Sequence, residues 1–231
     1  TTAAMASAFQ HHARVLEVGY PRNDIFFGSQ ASEAANKVRA RLGIGRDRKL
    51  VLFAPTFRDA GLDRELVAGP SEAIDLRRFG RELGDRATLV IRRHILDTHA
   101  AAIPDEVAHC IIDATSYPDV QELLVAADVL VTDYSSVFFD YLNTRRPCVF
   151  FAPDLEEYRD HVRGFYLDYE KDLPGPIVKG MDELLDCLAT AVDHGSFPGY
   201  NLDAFAGRYC PHDDGGAAAR VIAELFGTGV R

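Results

Sequence analysis

Between Arg14 and Pro153 the chain repeats one pattern: a short continuous apolar run, then a stretch with helical periodicity. The runs are RVLEVGY (Arg14–Tyr20), LVLFAPT (Leu50–Thr56), TLVIRRH (Thr88–His94), CIIDAT (Cys110–Thr115), DVLVTD (Asp128–Asp133) and CVFFAP (Cys148–Pro153). They are rich in Val, Ile, Leu and Phe and lack an in/out alternation, which is how strands covered on both faces read. Helical candidates lie between them at Ala31–Leu42, Asp75–Leu83, Pro118–Ala127 and Val137–Asn143. Strand and helix alternating in this way predict an α/β fold built on a doubly wound parallel sheet.

The C-terminal part reads differently. MDELLDCLATAVD (Met181–Asp193) and AAARVIAELF (Ala217–Phe226) are amphipathic helices that pack back on the sheet or reach a neighbouring domain, and DLPGPIVKG before them reads as a loop. The expected organisation is one domain over residues 1–231, with a sheet core at 14–180 and helices at 181–231. A chain of 231 residues with 47% hydrophobic content is long enough to bury such a core. Its formal charge of −10 argues against general binding to nucleic acid or to an anionic membrane surface. Cys110, Cys148, Cys187 and Cys210 are scattered without CxxC spacing, as buried thiols of a reducing compartment are, and suggest no zinc site. No apolar run reaches the roughly 18 residues of a membrane span, and no signal peptide is visible. The opening TTAAMASAFQHHARVLEVGYPRND lacks an initiator Met and enters directly on a helical pattern, so the chain reads as a piece of a longer protein.

An open α/β sheet binds its ligand in the crevice outside the carboxyl ends of its strands. The loops there contain Pro55-Thr56-Phe57-Arg58-Asp59, Arg92-Arg93-His94, Asp113-Ala114-Thr115-Ser116 and Asp133-Tyr134-Ser135-Ser136. Hydroxyls, guanidinium groups and one imidazole make a set suited to phosphate oxygens, and together they point to a diphosphate site. Each residue also has a plainer reading. Ser135 or Ser136 can simply cap the following helix. Thr56 and Thr115 can cap loops, His94 can be a satisfied edge histidine, and Arg92 and Arg93 a solvated strand end. Asp140 can be an exposed helix aspartate or a partner of Arg145 or Arg146. Convergence of four loops on one sheet edge favours the ligand.

Several segments, taken together, resemble the CDP-glycerol glycerophosphotransferase family, whose members build teichoic acids and related polymers. They are GYPRND (Gly19–Asp24), LFAPTFRD (Leu52–Asp59), RRH (Arg92–His94), YPDVQELLVAADVLVTDYSSVFFDY (Tyr117–Tyr141), RPCVFFAPDLEEY (Arg146–Tyr158), RGFYLDY (Arg163–Tyr169), LPGPIV (Leu173–Val178) and HDDGGAAARV (His212–Val221). The resemblance implies a GT-B architecture, two Rossmann-like domains facing a cleft, with this chain as the C-terminal, donor-binding half. The N-terminal acceptor domain is then missing.

By the same resemblance, His94 contacts the donor diphosphate or assists the leaving group. Ser135 and Ser136 place hydroxyls and helix-start N–H groups against the phosphates. Thr56, Arg58, Arg92 and Ser116 lie near the donor, Asp133 fixes the serine loop, and Asp140 meets the ribose. The implied reaction is attack by a hydroxyl of a teichoic-acid-like or capsule polymer acceptor, lipid-linked, on the β-phosphorus of CDP-glycerol with release of CMP. His94 and the N–H groups at the Ser135-Ser136 helix start meet the developing charge, with no metal or other cofactor. HDDGG reads as the loop that starts the last helix and not as a metal site.

One departure stands out. The family's second histidine, in a His-Gly motif taken as general base, has no counterpart before GYPRND. His11 and His12 do not match it, and His194-Gly195 lies at the wrong end of the chain. The chain is therefore expected to bind donor more credibly than it turns over. The expected location is cytoplasmic, with the parent protein peripheral at the inner membrane face. Two other readings stay open on the residues alone: a GT-B glycosyltransferase domain using a nucleotide sugar, and a non-catalytic domain that binds nucleotide or a partner protein.

Overall fold

The computed structural model describes residues 15–56, 74–94, 103–157, 169 and 172–227. Six parallel strands form one sheet: β1 (Lys49–Phe53), β2 (Ala87–Ile91), β3 (Ile111–Asp113), β4 (Val129–Thr132), β5 (Cys148–Phe151) and β6 (Ile177–Val178), in the order β3-β2-β1-β4-β5-β6. That order reverses direction between β1 and β4, as in the doubly wound nucleotide-binding sheet. Among the described residues eight α-helices accompany it: α1 (Gly28–Leu42), α2 (Leu76–Leu83), α3 (Val120–Ala126), α4 (Val137–Tyr141), the single turn α5 (Leu155–Glu157), α6 (Met181–His194), α7 (Leu202–Tyr209) and α8 (Ala217–Phe226).

The unalternating strand sequences follow from two cores. Leu50, Leu52, Leu130 and Phe150 pack on one face with Val38 of α1, Leu123 and Leu124 of α3 and Tyr141 of α4. Val51, Phe53, Val131 and Phe151 pack on the other with Phe79 and Leu83 of α2 and Leu184 and Leu188 of α6. Every one of these side chains, on strands and helices alike, is at most 2% exposed. Each contributes about 1.5–3 kcal/mol of burial free energy, so neither face tolerates a polar alternation. The four thiols are free; burial pushes Cys148 well above the ordinary thiol range and Cys210 up to about 11.

Two expectations change. The predicted strand Arg14–Tyr20 is not a strand over its described residues 15–20; it leads into a 3₁₀ turn at Pro21–Phe26. Its backbone is claimed by the C-terminal loop. Tyr20 N donates to Asp213 Oδ1 (2.9 Å), and Val18 O accepts from Arg220 Nε (3.0 Å). Gly19 has φ of 85°, and a Cβ there would lie 2.3 Å from His212 O, so a regular strand does not fit. The sixth strand comes instead from LPGPIV, read above as a loop: Ile177 and Val178 pair with Phe150 and Phe151. Helix α7 was not foreseen, and its Asn201 cap accepts from Ala204 N (2.9 Å).

Candidate functional site

The loops of β1, β2 and β4 leave the sheet side by side, because Phe53 lies opposite Ile91 on one side and Val131 on the other. The ladder runs on into their bases, with Ala54 N donating to Val131 O (2.9 Å) and Arg92 N to Phe53 O (2.8 Å). At the β1/β4 junction Thr132 Oγ1 donates to Ala54 O (2.7 Å). One step further, Thr56 donates from both N and Oγ1 to Asp133 Oδ1, each at 2.7 Å. Asp133 is 0% exposed, so its carboxylate is an internal clamp between the two loops. The Thr56 hydroxyl proton goes to that clamp, which leaves the oxygen as an acceptor only. Tyr169, which the motif reading did not single out, closes the underside: its hydroxyl donates to Asp133 O (2.9 Å) and its ring packs 5.3 Å from that of Tyr134.

The serine turn above this clamp is built unlike a cap. Ser136 occupies the N-cap position of α4 with φ −65° and ψ −5° and makes no side-chain cap bond. Ser135 Oγ only accepts a long contact from Val137 N (3.4 Å). Neither serine donates its hydroxyl proton to another described residue, Ser135 is half-buried and Ser136 is exposed. Two protons thus stand available beside the strand-order reversal. Helix α4 has five residues, too few for a sizeable macrodipole or for independent stability, so the hydroxyls matter more here than the helix end.

On the β2 side, Arg92 Nη1 donates to Thr115 O and to Arg93 O (3.3 Å), and Arg93 N donates to Thr115 Oγ1 (3.3 Å). Arg93 is not a solvated end. It is 5% exposed and pairs with Asp113 (2.8 Å). Burial tends to raise the Asp113 carboxyl, but hydrogen bonds from Thr115 and Arg93 outweigh it and hold it below the usual range. His94 follows, exposed at the rim. Ser116, also exposed, follows β3, three strands from β4. At about 4.8 Å per strand that is roughly 14 Å, too far for Ser116 and Ser135 to share one phosphate. Arg58, His11 and His12 lie outside the described residues.

Asp140 is neither an exposed helix aspartate nor a partner of Arg145 or Arg146. It is 7% exposed and accepts from Arg22 Nε (3.0 Å) and Nη2 (3.2 Å), Asn23 Nδ2 (3.0 Å) and Gln121 Nε2 (3.1 Å). Four N–H groups occupy both oxygens, so the carboxylate serves the protein's own geometry before any ribose. Asn23 Nδ2 also donates to Asp213 Oδ2 (2.7 Å), as does Asn143 Nδ2 (3.1 Å). GYPRND and HDDGG therefore meet at this hub from opposite ends of the sequence. Asp24 accepts from Ala217 N (2.9 Å) and Ala218 N (2.8 Å) at the start of α8, and Asp214 accepts from Gly216 N (2.9 Å), so the tempting acidic pair of HDDGG is structural. Among the described residues no three His, Cys, Asp or Glu side chains group as metal ligands. His194-Gly195 ends α6, with Gly195 in the left-handed conformation (φ 68°).

Residues 1–227 match the family model described as CDP-Glycerol:Poly(glycerophosphate) glycerophosphotransferase. The chain is 36% identical to a teichoic acid poly(glycerol phosphate) polymerase of Bacillus subtilis (strain 168), covering 98% of this chain and 30% of that protein. It is also 36% identical to a teichoic acid glycerol-phosphate transferase of Staphylococcus aureus, covering 92% of this chain and 54% of that one. A solved structure of the wall teichoic acid polymerase TagF, a histidine variant soaked with CDPG, superposes with a TM-score of 0.81 at 38% identity, over 97% of this chain and 53% of that chain. The chain spans between about a third and somewhat over half the length of these relatives. With the sheet order, the strand-end loops and the match over nearly its whole length, the chain belongs to the CDP-glycerol:poly(glycerophosphate) glycerophosphotransferase family.

Proposed function

We propose that this chain is the donor-binding half of a polyol-phosphate transferase that takes glycerol phosphate from CDP-glycerol and passes it to a teichoic-acid-like polymer, releasing CMP. The observation that carries the reading is the pair of uncommitted hydroxyls, Ser135 and Ser136, at the strand-order reversal of a family member's sheet. The serines donate to diphosphate oxygens. Thr56 and Asp133 hold the turn in place, since a hydroxyl without a free proton and a buried carboxylate are poor phosphate ligands. Arg92 and the exposed His94 stand at the end of β2, next to β1 and two strands from the serine turn, where positive charge offsets that of the leaving phosphate. Ser116 and Arg58 are assigned to the donor's periphery.

The acceptor hydroxyl attacks the β-phosphorus, the bond to the bridging oxygen breaks, and CMP leaves with the electron pair while His94 supports or protonates the departing phosphate. A base for the acceptor hydroxyl comes from residues other than those assigned here. The acceptor is a polyol-phosphate or saccharide chain on a lipid. Among the described residues no helix is long and apolar enough to cross a membrane, and association with the inner membrane face through the acceptor fits this reading.

Calorimetric titration of the chain with CDP-glycerol, CMP and UDP sugars tests the proposal. Binding of CDP-glycerol and CMP with no response to UDP sugars is expected. Preference for a UDP sugar would overturn the donor assignment, and silence toward every nucleotide would leave a partner-binding role.

A further inference from the structure

The Ser135-Ser136 turn is held in place by other groups, and neither hydroxyl proton is spent inside the protein. Upstream it is fixed by the Thr56–Asp133 clamp and by the bond from Tyr169 to Asp133 O. Downstream lies α4, which at five residues cannot hold its own direction. What holds it, besides the packing of Phe138 and Tyr141 in the core, is the hub one turn in, where Asp140 accepts four N–H bonds and Asn143, just beyond, donates to Asp140 O (3.0 Å) and to Asp213.

We propose that Asp140, Asn23 and Asp213 are positioning residues for the serine turn: they aim α4, and through it the two hydroxyls, at the donor diphosphate. This deepens the proposed function and rests on its reading of Ser135 and Ser136. The hub is suited to the task in three respects. It joins four separate segments: the strap at 20–23, the start of α3, helix α4 with the turn after it, and the loop at 213. Its amide donors are buried, with Asn23 1% exposed, Gln121 8% and Asn143 9%, so their N–H bonds to the carboxylates are made with little competition from water, unlike an exposed ion pair. Asn23 Nδ2 bridges Asp140 and Asp213 (3.0 and 2.7 Å), so the loop that carries Asp213 and the helix that carries the serine turn cannot shift independently. A displacement of α4 by an ångström would move hydroxyls whose bonds to phosphate need about 2.5–3.0 Å.

The test is a double-mutant cycle read by CDP-glycerol affinity on the 231-residue chain. Asp213→Asn removes the charge that receives Tyr20 N, Asn23 and Asn143 while keeping side-chain shape, and should weaken CDP-glycerol binding about tenfold, the loss of roughly one charged hydrogen bond. In a Ser136→Ala background the same substitution should cost clearly less, because the hub then has less to aim. Asn143→Ala serves in place of Asp213→Asn if that variant does not fold. Unchanged affinity in the folded hub variant, with only a lower urea midpoint, would overturn the proposal. Additive losses in the cycle would overturn it too. If Ser136→Ala and Ser135→Ala both bind CDP-glycerol as the parent does, the serine assignment itself is wrong, which is a different failure from that of the hub.

Discussion

Thr56 donates twice to a single carboxylate oxygen of Asp133, from its amide and its hydroxyl, at 2.7 Å each. This one contact ties the β1 loop to the β4 loop at the place where strand order reverses, and it explains why the β4 loop can carry two idle hydroxyls without collapsing onto them. Thr56→Val keeps the backbone bond and the shape but loses the hydroxyl bond to a buried charge, and should cost about 1.5–3 kcal/mol. Thr56→Ser should restore most of it. Urea denaturation reads the difference as a shift in midpoint at constant slope.

Ser135→Ala and Ser136→Ala should each leave stability within about 0.5 kcal/mol, since neither hydroxyl donates inside the protein and substitutions away from special contacts are usually that mild. Each should weaken CDP-glycerol by about 1.5–3 kcal/mol if it donates to a phosphate oxygen. His94→Ala separates the roles: on a longer family member carrying this domain it should abolish glycerol-phosphate transfer while donor binding falls far less. Calorimetry on the chain and a CMP-release assay on the longer enzyme check the pair.

The sheet was legible because strands covered on both faces have no polar side to hide; five of six runs are strands with nearly the expected bounds. The failures have a common cause. Val15 to Tyr20 reads as a strand by composition, yet its partners, Asp213 and Arg220, lie about 200 residues away, and no local periodicity reports a contact of that span. Ile177–Val178 is a two-residue strand, shorter than any pattern can announce. For the candidate site, the position of its residues at strand ends was legible from topology. The hydrogen bonds that divide them into clamp and free hydroxyl were not, because Thr56 and Ser135 are both simply hydroxyls until Asp133 chooses between them. Asp140 looked exposed in sequence because its four N–H donors come from two other segments, the strap at 20–23 and the start of α3.

Asp113 supplies a pH prediction. Its carboxyl titrates below the usual value of 3.8, burial being outweighed by the bonds from Thr115 and Arg93. A depressed folded-state pKa contributes stability that is present above the unfolded value and lost as pH falls through the folded one. The group's side chain is 34% exposed, so after solvent screening the contribution is about 1 kcal/mol or less. Urea midpoints at about pH 3 and about pH 6 should therefore differ less in Asp113→Asn than in the parent chain. At the higher pH the variant should already be weaker, because Arg93 is then buried without that carboxylate. An equal drop in both chains would mean that Asp113 is not part of the acid response.

Gly175 permits the outer edge of the sheet to close. A Cβ at this position would lie 1.9 Å from Cys148 O, a backbone atom that cannot swing aside, so Gly175→Ala must push β6 off β5. The bonds at risk are Phe150 N to Pro176 O and Ala152 N to Val178 O, both 2.8 Å. Overpacking of this kind costs about 1–3 kcal/mol, and amide exchange at Phe150 and Ala152 should rise with it while exchange at Leu52 and Leu89, deep in the other half of the sheet, tracks only global stability. Because β5 stands between β6 and the β4 loop, CDP-glycerol affinity of the folded variant should stay close to that of the parent. A large loss of affinity would show that the edge strand, and not only the Thr56–Asp133 clamp, sets the position of the serine turn.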